Sequence, residues 1–469
     1  MIARDVQVTR APRIGFVGAF DGMRGLGVIM VLIGHAVFEY LESWVTIVDT
    51  FFVLSGFLIA TLLLQEAQST GAIGIKKFYQ RRAMRLLPSV WLFVSVWIVL
   101  GAIGELLGVE VIKLSEILKD AAAAVTYTYH VFFPNGLPIL HPGQQDNRTM
   151  WHLWTLSVEE HFYIIIPALV MLCVRFRRLR LLGAAMVAGF VAIGLARLAG
   201  YTGPIVADGT FAGVRLAFLQ RPDALMLGIA LAVINAQLDA EAIDRWRPWI
   251  VRFANLGFVL WLAMLNLSSG LWERFGLPYF EYVPTGPAHA AHSDIVQHWY
   301  WFRFGHTLGA LGTAAMVLAW VRTPDWWFGR FLANKMFMYF GRLSYTLYVW
   351  HGLAYLLVFA VTGGDDVSTA FKFARIPLLV AVALAVSLPV YRYVELPVMG
   401  MKLRFASEKE TLDLRTGKMV ATPGRDDAGT DAGTEAGTEA GTEAGTEAGS
   451  GTGEDPGTAA DSGSGEGRL

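Results

Sequence analysis

The chain has 469 residues and a formal net charge of −1, and 54% of its residues are hydrophobic, with a mean hydropathy of +0.46. This composition is too apolar for an ordinary soluble protein, so most of the chain is expected in a bilayer and no nucleic-acid partner is expected. The single cysteine, Cys173, excludes an intrachain disulfide and leaves the redox compartment undetermined.

The N-terminal residues 1–17 are mixed and basic, and they predict a short cytoplasmic arm before a membrane domain that covers residues 18–400. No cleavable signal peptide is expected, because the apolar stretch that follows continues without a small-residue cleavage site. The first helix is therefore predicted to remain in the membrane.

Apolar runs recur along the membrane domain, and in lipid such runs form helices because a helix satisfies its own backbone hydrogen bonds. The sequence predicts an all-α polytopic membrane protein of about ten transmembrane helices. With ten spans, every basic cluster falls on one side, which makes both termini cytoplasmic. The runs lie near residues 24–42, 45–65, 86–107, 152–174, 181–199, 211–236, 250–269, 302–321, 336–361 and 375–396.

The first span carries two costly polar residues, Arg24 and His35. They are eleven residues apart, which is three helical turns, so both side chains lie on one face and roughly 16 Å apart along the axis. Ionisable residues inside a bilayer are functional candidates by default. A snorkelling anchor remains the alternative for Arg24, and a packing histidine remains the alternative for His35.

The second span begins with "VDTFFVLSGFL", which places Asp49 at a depth that His35 could share. A carboxylate beside an imidazole orients its tautomer and stabilises its protonated form. Asp49 could equally serve as an acid at the N-terminus of its own helix, and both hypotheses stay open.

The segment "FYQRRAMRLLP" before the third span gives Arg81, Arg82 and Arg85 one compact cationic face at its predicted cytoplasmic mouth. Such clusters commonly signal topology or contact anionic lipid headgroups. The sharper hypothesis is a ligand that carries phosphate, since the arginine fork matches phosphate oxygens.

Residues 114–133 are apolar enough to suggest an eleventh span, although Glu116, Lys119 and Asp120 lie in their first turns. A crossing here would move the later basic clusters outside, against the positive-inside rule. We therefore predict an extracytoplasmic hairpin or an interfacial helix.

The fourth span opens with "WHLWTLSVEEHFY", in which His152 and Glu159 share one helical face. Glu159 and Glu160 lie roughly 10 Å below the outer end of this helix. Two carboxylates at that depth favour a functional or cavity-lining role for at least one of them. The alternative is a buried ion pair with an arginine such as Arg221.

The C-terminal part changes character after a predicted cytoplasmic linker at 401–421. Residues 422–469 contain AGTE repeats and carry a net charge of −9, which leaves a body with a net charge of +8. Their composition buries too little apolar surface to fold, so a disordered acidic tail is predicted.

The predicted arrangement has a cationic mouth on the cytoplasmic side and an imidazole with carboxylates toward the outer side. It suits a reaction between a phosphorylated donor in the cytosol and an acceptor outside the membrane. Transfer from an acyl-CoA is one such reaction. A proton-coupled transporter of a small acyl or sugar compound would explain intramembrane His and Glu equally well. That alternative gives Arg82 and Arg85 no special role, and no internal repeat is evident in the sequence.

Seven segments in this order resemble the acyltransferase-3 family of integral membrane O-acyltransferases, and they extend over residues 18–400. The members of that family modify cell-surface polysaccharides, lipopolysaccharide, peptidoglycan and some secreted macrolides. The segments are "FDGMRGLGVIMVLIGHA", "DTFFVLSGFL", "RRAMRLLP", "WHLWTLSVEEHFY", "RPDALMLG", "FGRLSYTLYVWH" and "VELP".

The resemblance assigns roles to individual residues. It implies a catalytic set in which His35 acts as general base or acyl carrier and a carboxylate tunes its charge. It implies binding of acyl-CoA, most simply acetyl-CoA, by the arginines, and it leaves further polar groups as acceptor contacts. The implied catalytic set is His35, Glu159 and Asp49; the donor-binding set is Arg24, Arg82 and Arg85; the candidate acceptor contacts are Glu160, His152, Ser344, Tyr345 and His351. For Ser344, Tyr345 and His351, which match one family motif, packing and acceptor contact both stay open.

Two positions depart from the family pattern: His161 stands where glutamine is usual, and Gly27 stands where alanine is usual. Neither is an expected catalytic group, although His161 could alter an acceptor pocket. The implied function is transfer of an acyl group to a hydroxyl of an extracytoplasmic carbohydrate or secreted metabolite at the cell membrane. No metal is expected. Some relatives carry a soluble hydrolase-like domain, so this membrane body is expected to act alone or with a separate extracytoplasmic partner.

Overall fold

A computed structural model of the chain describes residues 8–421 with internal gaps, so the predicted disordered tail at 422–469 lies outside the described residues. The gaps are 38–39, 109–112, 134–136, 139–146, 200–221, 269–271, 273–274, 278–279, 281–300, 364–366, 402–409 and 414–417.

The described chain is almost entirely helical, which confirms the all-α prediction. Its helices are α1 (Gly18–Ala36), α2 (Thr46–Thr70), α3 (Ile75–Leu106), α4 (Leu114–Val125), α5 (Tyr129–Phe132), α6 (Trp154–Arg175), α7 (Leu179–Leu198), α8 (Pro222–Gln237), α9 (Ala240–Asn266), α10 (Trp301–Arg322), α11 (Trp327–Leu332), α12 (Lys335–Thr362), α13 (Thr369–Ala374), α14 (Ile376–Val390) and α15 (Leu396–Gly400). A π-helical turn, Tyr391–Glu395, joins α14 to α15, and 3-10 turns at Glu42–Val45 and Trp151–Leu153 precede α2 and α6.

Nine helices among the described residues are long and apolar enough to cross a membrane. The remaining predicted span, 211–236, corresponds to α8, an apolar helix of 16 residues. The first part of that predicted span lies outside the described residues. The chain is therefore a multi-pass membrane protein.

Helices α1 and α12 approach each other closely because glycines lie at their contact. A Cβ atom at Gly25 would overlap the backbone carbonyl of Phe337, and one at Gly341 would overlap the carbonyl of Asp21. Small residues allow this approach. In lipid, van der Waals packing stabilises such a contact, because no hydrophobic driving force acts between helices there. Gly56 allows the same close approach between α2 and α8, where a Cβ would overlap the carbonyl of Leu225.

We expect Gly25→Ala to lower the unfolding temperature in detergent, because the added methyl group forces α1 away from α12. Overpacking of this kind costs about 1–3 kcal/mol. The matched control is Gly34→Ala on the same helix, where the new Cβ would meet only Trp44 at 3.8 Å. Equal melting temperatures for the two variants would contradict this account of the α1–α12 contact.

The predicted cytoplasmic arm is attached to the membrane body over the part that the structure describes. The backbone N–H of Val8 donates to Gln68 Oε1 at 2.6 Å, and that of Arg10 donates to the carbonyl of Ala236 at 2.8 Å. Val8 is also buried. The arm therefore ties α2 to α8.

Residues 114–133 form α4 and α5, neither of which is long enough to span a bilayer, so no eleventh span is present here. Helix α4 packs against the end of α3, where a Cβ at Gly101 would overlap Ile117. The His130 ring of α5 lies 4.7 Å from the His161 ring of α6. The segment thus extends down beside α6 to the position of His161.

The predicted linker contains structure that the sequence did not predict. Strands β3 (Glu410–Asp413) and β4 (Lys418–Ala421) pair antiparallel, with Glu410 opposite Ala421. A second short pair, β1 (Leu137–Pro138) with β2 (Asn147–Arg148), is parallel and lies before α6.

Candidate active site

Three histidines from three different helical elements meet in what we call the outer histidine cluster, defined as His35, His152 and His351. The His35 and His351 rings are stacked, with centroids 5.4 Å apart and planes at 14°, and the His152 and His351 centroids are 4.6 Å apart. His351 and His152 are buried, whereas His35 is partly exposed. His35 is therefore the least buried residue of the cluster.

Backbone carbonyls determine the tautomers of the two buried rings. His351 Nδ1 donates to the carbonyl of Tyr348 at 2.5 Å, and His152 Nε2 donates to the carbonyl of Val349 at 2.9 Å. A carbonyl only accepts, so each of these nitrogens carries hydrogen. The His152 bond fastens α6 to α12, which supports a structural role for His152.

Aromatic side chains surround His35 on its remaining sides. Trp151 lies edge-to-face with the His35 ring at 4.7 Å, and Tyr355 does so at 6.2 Å. The Tyr355 hydroxyl donates to the carbonyl of Leu32, three residues before His35. These contacts hold the His35 ring between α12 and the start of α6.

A second group of polar residues forms the inner arginine cluster, defined as Arg24, Arg82 and Arg85. Arg82 donates to Glu160 Oε1 from Nη2 at 2.6 Å and from Nε at 2.8 Å, and its Cζ lies 3.3 Å from the centroid of the Tyr163 ring. The Tyr163 hydroxyl donates to Glu159 Oε1 at 2.8 Å. Glu160 thus pairs with an arginine, as the alternative from sequence proposed, and that arginine is Arg82; Arg221, which the sequence suggested as an example, lies outside the described residues.

The other two arginines complete this cluster. Arg24 donates to Asp21 at 3.3 Å, one turn earlier on α1. Arg85 lies within electrostatic range of Arg24, Arg82 and Asp21. Among the residues that the structure describes, Arg85 has no ion pair within 4 Å. Its guanidinium is therefore the member of the cluster with donors to spare.

The two clusters are separated along the helix axes. His152 belongs to the outer cluster, and Glu159 follows it by seven residues, which places the carboxylate roughly 10 Å further along α6. There Glu159 accepts from Tyr163, beside Arg82. The structure therefore groups Glu159 with the arginines, and it does not bring Glu159 to His35 as the hypothesis of a charge-tuning carboxylate required.

Asp49 is also placed differently from the prediction. Its Oδ2 accepts from His306 Nδ1 at 2.6 Å, and both side chains are buried. Thr46 and Thr50, on the same side of α2 as Asp49, contact Gly309 and Thr313 of α10. The residues of α2 that face Gly27 of α1 are instead Ile47 and Phe51.

Because Ile47 and Phe51 lie two positions from Asp49, they project from the opposite side of the helix. Asp49 therefore faces α10, away from α1 and His35. The sequence did not single out His306, whose neighbours in the chain carry no motif. Asp49 also lies in the first turn of α2, as the hypothesis of an acid at the N-terminus of its helix expects, although no side chain caps that end by a hydrogen bond.

A buried ion pair that the sequence did not single out lies nearby. Arg197 donates to Asp223 through both terminal nitrogens, at 2.8 and 3.0 Å, and also to Thr307 at 2.6 Å. Arg197 has no exposed surface. An arginine in an apolar run is itself a signal for such a pair, because an isolated charge is costly in lipid. The pair connects α7, α8 and α10.

Ser344 and Tyr345, predicted as acceptor contacts, have their hydroxyls bonded to backbone. Ser344 Oγ donates to the carbonyl of Gly341 at 2.8 Å, and Tyr345 Oη donates to the carbonyl of Leu86 at 2.6 Å. Tyr345 thus connects α12 to α3. This geometry favours a packing role over acceptor contact, the two roles that the sequence left open for these residues.

The acidic residues of α4 form a clamp on the chain before Trp151. Asp120 Oδ2 accepts from the backbone N–H and the hydroxyl of Thr149, each at 3.0 Å, and Arg148 donates to Asp120 and Glu116 at 3.2 and 3.0 Å. Burial raises the pKa of the Asp120 carboxyl, and Arg148 and Thr149 lower it in part. The clamp positions the residues that lead to Trp151.

We expect the protein to become less stable as the pH is lowered from about 6.5 to about 4, because burial opposes protonation of His130 in the folded state. Burial, with a smaller effect from His161, lowers its pKa from 6.5 to about 4. The unfolded chain binds a proton in this window that the folded chain does not, so the folding equilibrium loses up to about tenfold per pH unit. The melting temperature at pH 7 and pH 5 tests this, with His130→Phe as the control. An unchanged pH dependence in that variant would contradict the assignment.

No group of three or more His, Cys, Asp or Glu side chains in the described part of the chain is arranged to hold a metal ion. The outer histidine cluster is included in that statement. One nitrogen each of His351 and His152 bonds to a carbonyl, whereas His351 Nε2 and His152 Nδ1 are buried without a hydrogen-bond partner among the described residues.

Comparison with known proteins identifies a family. The family model described as "Acyltransferase domain" matches residues 17–392. Two proteins named O-acetyltransferase OatA, from Staphylococcus aureus strains MRSA252 and NCTC 8325, are each 25% identical, over 86% and 82% of this chain and over 60% and 57% of their own length. SACOL0978 of Staphylococcus aureus strain COL is 24% identical over 83% of this chain and 58% of its own length. The chain thus spans less than two thirds of these relatives. No solved structure matches.

Proposed function

Because the chain belongs to the acyltransferase-3 family of membrane acyltransferases, we propose that it moves an acyl group from cytosolic acyl-CoA to a hydroxyl on the opposite side of the membrane. The names of the relatives support acetyl as the acyl group and oxygen as the acceptor atom. We propose that the acceptor is an extracytoplasmic carbohydrate or a secreted metabolite.

The observation that carries this proposal is the arrangement of two chemically different clusters on shared helices. Helix α1 contributes Arg24 to one and His35 to the other, roughly 16 Å apart along its axis. The arginines fit the phosphates of the nucleotide portion of acyl-CoA, because guanidinium forks bind phosphate oxygens and Arg85 has donors to spare. A proton-coupled transporter would have no such need for a phosphate site.

His35 would do the chemistry of the transfer. In direct transfer, the neutral imidazole takes the proton from the acceptor hydroxyl while that oxygen forms a bond to the acyl carbon. The carbon–sulfur bond then breaks, and the thiolate leaves with the proton that His35 returns. Stacking on His351 and contact with Trp151 hold the ring in place for this step.

A covalent route uses the same residue. A nitrogen of His35 bonds to the acyl carbon, the carbon–sulfur bond breaks, and the thiolate takes up the proton that the imidazolium ring releases. The acceptor oxygen then bonds to the acyl carbon as the carbon–nitrogen bond breaks, and the hydroxyl proton returns to the imidazole. Incubation with radiolabelled acetyl-CoA in the absence of acceptor separates the routes. Label that stays on the protein in a single turnover, and is absent from His35→Asn, supports the covalent route; an unlabelled protein under the same conditions contradicts it.

The proposal as a whole is tested in membrane vesicles from cells that express the chain. Labelled acetyl-CoA is supplied on the cytosolic face, and glycans and secreted metabolites on the other face are examined by mass spectrometry. An acetyl mass difference that depends on the gene supports the function and identifies the acceptor. Vesicles that instead accumulate an unmodified small compound would contradict it in favour of transport.

A further inference from the structure

Glu395 is a buried carboxyl group that the proposed function does not yet use. It is 3% exposed and lies at the end of the π-helical turn between α14 and α15. Its Oε1 has no hydrogen-bond partner among the described residues. Single π turns are frequent at functional sites, and a buried polar atom without a partner is costly to keep. Both observations point to a ligand.

The surroundings of Glu395 come from two other helices. It faces Ser89 of α3, Thr346 of α12 and, at longer range, Arg85. Ser89 Oγ accepts from Trp350 Nε1 at 3.2 Å. Thr346 has no exposed surface, and its hydroxyl lies beside the Glu395 carboxyl but makes no hydrogen bond of ordinary geometry to any described residue. Two neighbouring buried groups, one a hydroxyl and one a carboxyl, are thus available to a ligand.

This pair lies midway between the two clusters. Thr346 follows Gly341, which packs beside α1 near Arg24, by five residues and precedes His351 by five. At the rise of an α-helix, each interval is roughly 7.5 Å. On α3, Ser89 similarly follows Arg85 by four residues, roughly 6 Å. A molecule that reaches from the arginines to His35 crosses this height along the helix axes, on a different face of α12 from His351, because five residues turn a helix by about 140°.

The polar groups in the middle of acyl-CoA are complementary to the carboxyl and hydroxyl groups of Glu395 and Thr346. Between its phosphates and its thioester, the pantetheine arm carries two amide groups and one hydroxyl. Each amide N–H or hydroxyl that leaves water needs a new hydrogen-bond acceptor, and otherwise costs about 1–3 kcal/mol. A carboxyl oxygen supplies such an acceptor, and a threonine hydroxyl both donates and accepts.

We propose that Glu395 and Thr346 bind the polar groups of the pantetheine arm, midway between the inner arginine cluster and the outer histidine cluster. The inference rests on the proposed function, because it takes acyl-CoA as the donor. Tyr345 is the nearest polar alternative on α12, but its hydroxyl donates to the carbonyl of Leu86.

The test is binding, measured without any acceptor or turnover. Isothermal titration of the full chain in lipid nanodiscs uses two probes, CoA and pantetheine, of which only CoA carries phosphates. We expect Thr346→Val, which keeps the side-chain shape, to weaken both probes about fivefold. Glu395→Met should weaken both about tenfold. Arg85→Gln should weaken CoA alone.

The controls separate the possible failures. Tyr393→Phe changes a residue in the same π turn that is 71% exposed, and it should bind both probes like the unmodified chain. If Glu395→Met weakened CoA but not pantetheine, Glu395 would act through Arg85 and the inference would be overturned. Unchanged pantetheine binding by Thr346→Val would overturn it even if Glu395→Met failed to fold. If the unmodified chain bound no CoA, the proposed function would fail as well.

Discussion

Replacing His35 by Ala is expected to reduce acyl transfer by at least about 10²-fold while the protein still folds and inserts. A positioned general base contributes about 10²–10⁴-fold, and loss of an acyl carrier would remove the covalent route entirely. His35 is the partly exposed member of the outer histidine cluster, so no other ring in that cluster can take its place at the substrate. The measurement is acetyl transfer from labelled acetyl-CoA in vesicles, normalised to folded protein by fluorescence-detected gel filtration.

The matched control for His35→Ala is His130→Ala, which removes another histidine outside the cluster. His130 is buried in α5 and contacts His161. We expect this variant to retain transfer per folded molecule. Transfer by His35→Ala at the rate of the unmodified chain would remove His35 from the mechanism, and equal loss in both variants would indicate a general effect of losing a buried ring.

Arg82→Gln and Arg85→Gln are expected to fail in different ways, although the two residues are one turn apart. Arg82 makes an ion pair with Glu160 in which the two side chains are only 13% and 12% exposed, and it stacks on Tyr163, so its loss leaves Glu160 as an uncompensated carboxylate. Breaking a buried pair from one side costs about 3–5 kcal/mol. Arg82→Gln should therefore lower the melting temperature strongly. Arg85 has no ion pair in the described part of the chain, so Arg85→Gln should melt normally.

The same two variants are distinguished by donor affinity. Arg85→Gln should weaken CoA binding at least about tenfold, because a charge-assisted hydrogen bond contributes about 1.5–3 kcal/mol. Titration calorimetry with CoA measures the dissociation constant, and thermal unfolding of the same samples measures stability. A double variant, Arg82→Gln with Glu160→Gln, should recover much of the stability lost by Arg82→Gln alone. Normal CoA binding by Arg85→Gln would argue against the inner arginine cluster as the phosphate site.

The sequence was most informative where a single helix decides the geometry. The spacing of Arg24 and His35 predicts one face and one separation, because both residues lie on α1 and the α-helix has a constant rise. The apolar runs likewise predict the spans, since lipid leaves the backbone few alternatives. The strand pair β3–β4 and the π-helical turn were not predicted from the sequence, because neither has a strong hydropathy signal.

Sequence reasoning failed where two helices had to be placed against each other. Asp49 was expected near His35 from its estimated depth, and Glu159 was expected there from the catalytic set that the family resemblance implies. In the structure, Glu159 lies with Arg82 because α3 and α6 pack antiparallel, and Asp49 faces His306 because its side of α2 packs on α10. Depth along one helix does not determine which neighbour a side chain faces.

The sequence alone therefore determined an all-α multi-pass membrane protein, its family resemblance, and the separation of Arg24 from His35. These follow from local rules, namely backbone hydrogen bonding in lipid and the helical repeat. Only the tertiary structure decided that His35 stacks on His351, that Arg82 is neutralised by Glu160 while Arg85 is not, and that Glu395 faces Thr346. Those contacts depend on how glycines let particular helices approach, and that depends on all the helices together.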